Sequence, residues 1–254
     1  MTMTWFSRTI RREIALDASV YDNKTSVTIV EIMGRHAGWL TAASALARKF
    51  EGDNPVLIYL PETAFDPDRF IESVKTSLES VPNLVVCISE GIHDGNGTFV
   101  CELDKDIETD TFGHKMLTGS GKYLENLVKE KLGVKVRSVE LNVSQRCSSA
   151  MLSGTDLKES VAAGAYGVKR ALEGESTKMV AFTRLPDAPY RINYELKVVH
   201  QICNQDKTVP LEWITKEGSD VSQEFIDYAL PLIQGSVKVP EENGLPKFAY
   251  RKKR

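Results

Sequence analysis

Arg35, Glu90 and Arg146 are the residues whose types and positions could do chemistry together. Arg35 and Glu90 each follow a short apolar run, and Arg146 lies shortly after a third run that alternates apolar and polar residues. A planar guanidinium group suits a phosphate. If the three runs are neighbouring parallel strands, their carboxyl ends meet at one edge of a sheet, and the three side chains could share a cleft. On spacing alone, Arg146 fits a surface loop equally well.

The elements that must position these side chains begin with residues 26–39. Six of the seven residues in Val27–Met33 are apolar or β-branched, as in a strand that is buried on both faces. Gly34 then permits a sharp turn, and the apolar positions of 37–50 have nearly helical spacing. A strand, a glycine turn and a helix in this order present backbone N–H groups and the side chain of Arg35 at the end of the strand.

The rest of the chain continues as alternating strands and helices. We predict further strands at 55–60, 84–88, 134–141 and 178–183, and helices over about 4–19, 67–81, 120–132, 155–172 and 222–233. Asp66 followed by Pro67 is typical of a helix start, and Gly133 of a helix end. Asp156 with Glu159 would form a capping box. This alternation predicts βαβ units, and therefore an α/β fold with a mainly parallel, Rossmann-like sheet.

Several short motifs resemble ligand sites but lack the required spacing. Asp94-Gly-Asn-Gly97 has neither the ligand spacing nor the closing glutamate of a calcium loop, so we predict a tight turn. Gly119-Ser-Gly-Lys122 lacks the first glycine and the final Ser or Thr of a phosphate loop. The four histidines share no ligand spacing, and the four cysteines include no C-x-x-C pair. The sequence therefore predicts no metal site on this chain.

The composition is that of an ordinary globular protein. The 254 residues are 42% hydrophobic and 26% charged, enough for one large domain or two of usual size. A net charge of −3 gives no reason to expect nucleic acid or an acidic membrane as a partner. The sequence has no apolar run as long as a membrane span, no secretory-signal core at its start and no obvious cysteine pairing, so we expect a cytoplasmic protein.

Taken together, the motifs resemble those of the phosphofructokinase family, and specifically of its pyrophosphate-dependent branch. The matching segments are Met33-Gly-Arg-His-Ala-Gly-Trp39, Ile88-Ser-Glu-Gly91, Gly119-Ser-Gly-Lys-Tyr-Leu124, Ser144-Gln-Arg-Cys147, Thr155-Asp156, Lys178-Met-Val180 and Val209-Pro-Leu-Glu-Trp-Ile214. They occur in the family's order and cover nearly the whole chain. Ser26 and Thr155 replace two arginines of the ATP-dependent bacterial pattern, and the second change is shared with the pyrophosphate branch.

The resemblance implies phosphoryl transfer from pyrophosphate to the 1-hydroxyl of fructose 6-phosphate, with Mg²⁺ as the cofactor. It implies that Glu90 accepts hydrogen bonds from sugar hydroxyls and that Arg146 binds the 6-phosphate. Val143 stands where the branch often has a larger group. The full set of implied substrate-binding residues is Met33, Gly34, Arg35, Glu90, Val143, Gln145 and Arg146.

Two motifs of the family do not occur in this sequence. Family members carry a Gly-Gly-Asp loop for the phosphoryl donor and a Thr-Ile-Asp-Asn-Asp segment with the catalytic base, and neither is present. Phosphoryl transfer needs positioned donor phosphates, Mg²⁺ and a proton acceptor. In the family these come from the portion that has no counterpart here. We therefore expect no catalytic residue on this chain, which would supply the acceptor-binding half and be inactive alone.

The resemblance also predicts three segments. Residues 1–20 would form a helix leading in, 21–154 the fructose-6-phosphate-binding α/β domain, and 155–254 a return segment that completes the other domain. The predicted helix at 155–172 has an apolar stripe that comprises Leu157, Val161, Ala165, Val168 and Leu172. Without the other part of that domain, this stripe would have no packing partner, which would favour a homo-oligomer or association with a complementary phosphofructokinase chain.

Two alternative functions remain open. The chain could be a non-catalytic partner of an intact phosphofructokinase, either regulatory or sugar-phosphate-binding, or it could be an α/β remnant that binds no ligand.

Overall fold

The core of the protein is a sheet of four parallel strands. The computed structural model describes residues 10–11, 25–50, 52–103, 119–147, 151–186 and 189–247. The strands are β1 (Ser26–Ile32), β2 (Leu57–Tyr59), β3 (Asn83–Ser89) and β4 (Lys135–Glu140), in the order β2-β3-β1-β4. All neighbouring pairs are parallel, so the predicted α/β fold with a mainly parallel sheet is confirmed. Every residue of β1 is buried, as expected for a central strand covered on both faces.

Two helices cover one face of this sheet. Helix α2 (Pro67–Ser80) begins at Asp66, whose side chain accepts hydrogen bonds from the N–H groups of Asp68 and Arg69, as predicted from the Asp-Pro signal. Helix α3 (Ser120–Leu132) ends at Gly133, which has a left-handed conformation with φ of 65°. The apolar cluster between these helices and the sheet contains Val27, Ile29, Phe70, Val74, Leu84, Val86, Leu124 and Val128.

The opposite face is covered by α1 (Trp39–Ala42), a 3-10 turn (Ala43–Ala47) and part of the C-terminal region. A single helix over 37–50 was expected, and that expectation is wrong. The hydroxyl of Ser44 donates to the carbonyl of Thr41 at 2.6 Å, which competes with regular helical hydrogen bonding. Arg48 is extended and donates to the carbonyl of Pro55 at 2.7 Å, so the segment ends before it.

The C-terminal region adds a helix, a hairpin and several short elements. Helix α4 (Gly154–Leu172) packs against the antiparallel hairpin of β5 (Lys178–Arg184) and β6 (Ile192–Val198). Helix α5 (Gln223–Ala229) packs against the sheet with Val209 and Val221. The short strands are β7 (Ile214–Thr215), β8 (Asp220–Val221), β9 (Glu241–Glu242) and β10 (Leu245–Pro246), paired in two ribbons.

The start of α4 differs from the prediction. The N-cap is Ser153, whose hydroxyl accepts a hydrogen bond from the N–H of Asp156 at 3.2 Å. Asp156 therefore lies within the helix, and the expected capping box of Asp156 with Glu159 is wrong. The carboxylate of Glu159 instead accepts a hydrogen bond from the hydroxyl of Tyr190 at 3.2 Å.

One face of α4 has no cover among the described residues. We call it the α4 stripe, and it comprises Leu157, Val161, Ala165, Val168 and Leu172. Val161 is 65% exposed, Val168 63% and Leu172 85%. Such a row of exposed apolar side chains is unusual on the surface of a globular protein.

Part of the sequence-based expectations falls outside the described residues. Of the helix expected at 4–19, only Ile10 and Arg11 are described; both are helical, and Ile10 is buried in the sheet's apolar cluster. The predicted turn at Asp94 is confirmed, since its carboxylate accepts hydrogen bonds from the N–H groups of Asn96 and Thr98, each at 2.8 Å.

In the described part of the chain, we find no helix with the length and apolar character needed to cross a membrane.

Candidate functional site

Three strands deliver polar residues to one edge of the sheet. β1 lies between β3 and β4, with Ile32 paired with Ser89 and Glu31 paired with Glu140. Because the strands are parallel and in step, the residues that follow them begin side by side. The Met33-Gly-Arg35 turn is therefore flanked by Glu90 on one side and by a 3-10 turn (Asn142–Arg146) on the other.

Hydrogen bonds fix the β1 turn against Glu90. The N–H of Glu90 donates to the carbonyl of Ile32 at 2.8 Å, and the N–H of Gly34 donates to Oε1 of Glu90 at 3.2 Å. The hydroxyl of Ser89 also donates to the carbonyl of Gly34. The carboxylate of Glu90 is therefore held at the mouth of the turn that carries Arg35.

Gly91 is required by the close approach of these two turns. A Cβ atom at residue 91 would lie 1.9 Å from the carbonyl oxygen of Arg35, closer than any real contact of a Cβ atom. Only glycine allows the backbone after β3 to pass this close to the backbone after β1. The glycine in the Ser-Glu-Gly sequence is therefore explained by geometry. Because Gly91 lacks a side chain, Glu90 can lie beside Arg35.

The turn after β4 contacts β1 from the other side. The N–H of Leu141 donates to the carbonyl of Glu31 at 3.1 Å, and the N–H of Met33 donates to Oε1 of Gln145 at 3.4 Å. Gln145 is buried, with 3% of its surface exposed, whereas Val143 is 68% exposed. The amide of Gln145 therefore joins this turn to the backbone of Met33.

The pKa of Glu90 is affected by its burial and by two nearby arginines. Partial burial raises the pKa of this carboxyl, and the N–H of Gly34 and the charges of Arg35 and Arg146 oppose that rise. Both guanidinium groups therefore act on the same carboxylate. The segments that follow β1, β3 and β4 at this edge therefore carry two cations, one carboxylate and a backbone N–H, which suits a ligand with a phosphate and hydroxyl groups.

Among the residues that the structure describes, no group of three His, Cys, Asp or Glu is placed to hold a metal ion. The described residues therefore provide no ligand set for Mg²⁺.

Glu31 is a residue that sequence reasoning missed. It lies in the otherwise apolar strand β1 with 4% of its surface exposed, and Oε2 accepts a hydrogen bond from the N–H of Gly121 at 2.6 Å. Burial, together with the charges of Glu140 and Glu90, raises its pKa to about 7, against the N–H groups of Gly121 and Gly119. The available signal was a single acidic residue inside a strand of apolar and β-branched residues.

Comparison with known proteins gives a consistent result. The phosphofructokinase family model matches residues 10–167. A protein from Halomonas elongata named pyrophosphate–fructose 6-phosphate 1-phosphotransferase is 37% identical over 238 residues, covering 93% of this chain and 56% of that relative. One of the same name from Xanthomonas campestris is 39% identical over 243 residues, covering 95% of this chain and 58% of the relative.

Solved structures agree with the sequence relatives. The crystal structure of pyrophosphate-dependent phosphofructokinase from Marinobacter aquaeolei has a TM-score of 0.83 and 29% identity, covering 100% of this chain and 61% of that one. The structure of the same enzyme from Nitrosospira multiformis has a TM-score of 0.84 and 28% identity, covering 98% and 58%. The chain thus spans somewhat more than half the length of each of these four proteins. On this evidence the chain belongs to the phosphofructokinase family.

Proposed function

We propose that this chain binds fructose 6-phosphate and supplies the sugar-phosphate half of a pyrophosphate-dependent phosphofructokinase. The observation that carries the proposal is the convergence of Arg35, Glu90 and Arg146 at the edge formed by β1, β3 and β4. The names of the relatives at 37% and 39% identity support the choice of substrates.

Each residue of the site has a role that follows from its chemistry. Arg146 binds the 6-phosphate and Arg35 adds a second positive charge, because guanidinium groups bind phosphate through charged hydrogen bonds. Glu90 accepts hydrogen bonds from sugar hydroxyls. The remaining members of the proposed site are Met33 and Gly34 of the β1 turn and Val143 and Gln145 of the turn after β4.

Phosphoryl transfer requires a second, donor-binding portion. The proposed reaction moves a phosphoryl group from pyrophosphate to the 1-hydroxyl of fructose 6-phosphate, and the hydroxyl loses its proton to a base. In this proposal, the donor phosphates, the base and Mg²⁺ belong to the portion of the relatives that this chain does not span. The isolated chain binds the acceptor and does not phosphorylate it.

The α4 stripe is the proposed contact site for that portion. We assign residues 21–154 to the sugar-phosphate domain and 155–254 to the segment that completes the donor domain, with 1–20 leading in. The stripe exposes Val161, Val168 and Leu172 in this second segment. A second copy of the chain is the competing occupant. The same exposed face keeps a second function open, that of a regulatory subunit of an intact phosphofructokinase.

Calorimetry with the purified chain tests the main proposal. Fructose 6-phosphate should give saturable binding, and fructose without phosphate should give none, because the arginines bind the phosphate. Pyrophosphate and fructose 6-phosphate together should yield no product until the N-terminal portion of a relative, such as that from Halomonas elongata, is added. A chain that binds no fructose 6-phosphate would overturn the proposal. Copurification with an intact phosphofructokinase, without complementation, would favour the regulatory function.

A further inference from the structure

Glu31 lies behind the candidate site and contacts the helix next to it. The residue belongs to β1 and precedes Ile32, whose carbonyl accepts the N–H of Glu90. The titratable groups that face Glu31 are Glu140 at the end of β4, Glu90 after β3, and Cys101 in the 3-10 turn Val100–Leu103. With 4% exposure, Glu31 is too deeply buried to contact a ligand at the sheet edge.

The carboxylate of Glu31 caps helix α3. The helix follows Gly119, which has a φ of 102° and no side chain that could serve as an N-cap. Oε2 of Glu31 accepts the N–H of Gly121 at 2.6 Å and so satisfies one of the helix's first amides from a strand 90 residues earlier. A Cβ atom at residue 121 would lie 3.1 Å from the same oxygen, so glycine leaves room for this contact.

The start of α3 in turn contacts Glu90. The hydroxyl of Ser120, the first residue of the helix, donates to the backbone carbonyl of Glu90 at 3.3 Å. The carboxylate of Glu90 accepts the N–H of Gly34 at 3.2 Å. Glu31 therefore holds the start of α3 in place, and Ser120 at that start holds the backbone of Glu90. Glu90 is the residue that accepts hydrogen bonds from the sugar hydroxyls in the proposed function.

We propose that Glu31 is a positioning residue for the sugar-phosphate site, acting on Glu90 through Gly121 and Ser120. The inference rests on the proposed function because it concerns the same site. It assigns Glu31 to the recognition of the sugar hydroxyls by Glu90 and leaves phosphate recognition to Arg35 and Arg146.

Two probes separate these contributions: fructose 6-phosphate, which engages Glu90 and the arginines, and inorganic phosphate, which engages the arginines only. Glu31→Ala and Ser120→Ala should weaken the binding of fructose 6-phosphate by roughly tenfold, because a displaced Glu90 carboxylate loses a charged hydrogen bond to a sugar hydroxyl. Their affinity for inorganic phosphate should change by less than about twofold. Glu31→Gln keeps an oxygen that accepts the N–H of Gly121, so it should retain most of the affinity for fructose 6-phosphate.

Glu125→Gln provides a matched control in the same helix. Glu125 also joins α3 to the sheet, since Oε2 accepts the N–H of Ser138 at 2.8 Å, but it has no contact with Glu90. This variant should bind both probes as the unaltered chain does. Equal weakening of both probes in Glu31→Ala, or full affinity for fructose 6-phosphate in Glu31→Ala and Ser120→Ala, would overturn the positioning role. An unaltered chain that binds no fructose 6-phosphate would remove the proposed function itself.

Discussion

The N–H of Gly34 donates to the carboxylate of Glu90 at 3.2 Å, although 56 residues separate the two in the chain. This bond joins the turn after β1 to the turn after β3 and places an acidic side chain beside the basic one of Arg35. The carboxylate uses one oxygen for the backbone and keeps acceptor capacity on the other, because an ionised carboxylate has several lone pairs. An acceptor and a cation held in this way suit a ligand that carries both hydroxyl groups and a phosphate.

Arg35→Ala should weaken the binding of fructose 6-phosphate by about 1.5–3 kcal/mol, the range for hydrogen bonds to charged groups. Arg146→Ala should have an effect of the same order, because both guanidinium groups act on the carboxylate of Glu90 in the proposed site. Isothermal titration calorimetry measures both. Arg170→Ala on α4, where Arg170 pairs with Glu173 at 2.7 Å, is the control and should leave affinity unchanged. Unchanged affinity in Arg35→Ala would remove Arg35 from the site.

Gly91→Ala should destabilise the protein and weaken sugar-phosphate binding together. The added Cβ would lie 1.9 Å from the carbonyl oxygen of Arg35, so the two turns must move apart. We expect a loss of at least about 1–3 kcal/mol in the free energy of unfolding, as for overpacking in a core. Urea denaturation and calorimetry check the two effects.

Gly95→Ala is the matched control, because a Cβ there would meet nothing within 4 Å. It should retain both stability and affinity. If Gly91→Ala kept the stability and the affinity of the unaltered chain, that result would contradict the close approach of the two turns.

The parallel sheet, and the edge of the sheet at which Arg35 and Glu90 lie, could be predicted from the sequence because their signals are local. Strands β1 and β3 are short runs of apolar and β-branched residues, and the end of α3 is marked by a glycine that adopts the left-handed conformation. The positions of Arg35 and Glu90 follow from where those strands end. The assignment of these residues to a sugar phosphate depends in addition on the family resemblance.

The features that sequence did not predict depend on distant partners. Ser153 caps α4 while its hydroxyl donates to the carbonyl of Leu232 at 2.7 Å, a contact across 79 residues. Arg48, which ends the helical segment, donates to the carbonyl of Pro55 and also to the carboxylate of Asp220, 172 residues away, at 2.8 Å. β6 is absent from the sequence-based expectations although Ile192–Val198 alternates apolar and polar residues, because the prolines around it indicate loop.

The stability of the unaltered chain should fall, relative to that of Glu31→Gln, as the pH rises from about 5 to about 8. The folded-state pKa of Glu31 is about 7 and the ordinary value is 4.5, so the folded state holds more protons than the unfolded state between these values. Stability therefore decreases with rising pH across that window. The shift corresponds to about 3 kcal/mol at most.

Urea denaturation at pH 5 and pH 8 measures this difference. The raised pKa of Glu90 acts in the same direction, but it is present in both proteins and largely cancels in the comparison. Glu125→Gln should not reproduce the effect, because Glu125 has a lowered pKa. Parallel pH profiles for the unaltered chain and Glu31→Gln would contradict a neutral-range pKa for Glu31.

Val168→Gln should reduce association through the α4 stripe without unfolding the chain. Val168 is 63% exposed, so its replacement by a polar helix former should change the free energy of unfolding by no more than about 0.5 kcal/mol. Loss of an apolar side chain from a contact surface should instead weaken binding of the N-terminal portion of a relative, or of a second copy. Sedimentation velocity, with and without that portion, measures both associations. Lys169→Gln, at the adjacent exposed position, is the control and should associate as before. If Val168→Gln and Lys169→Gln associated to the same extent, that result would exclude the α4 stripe as the contact surface.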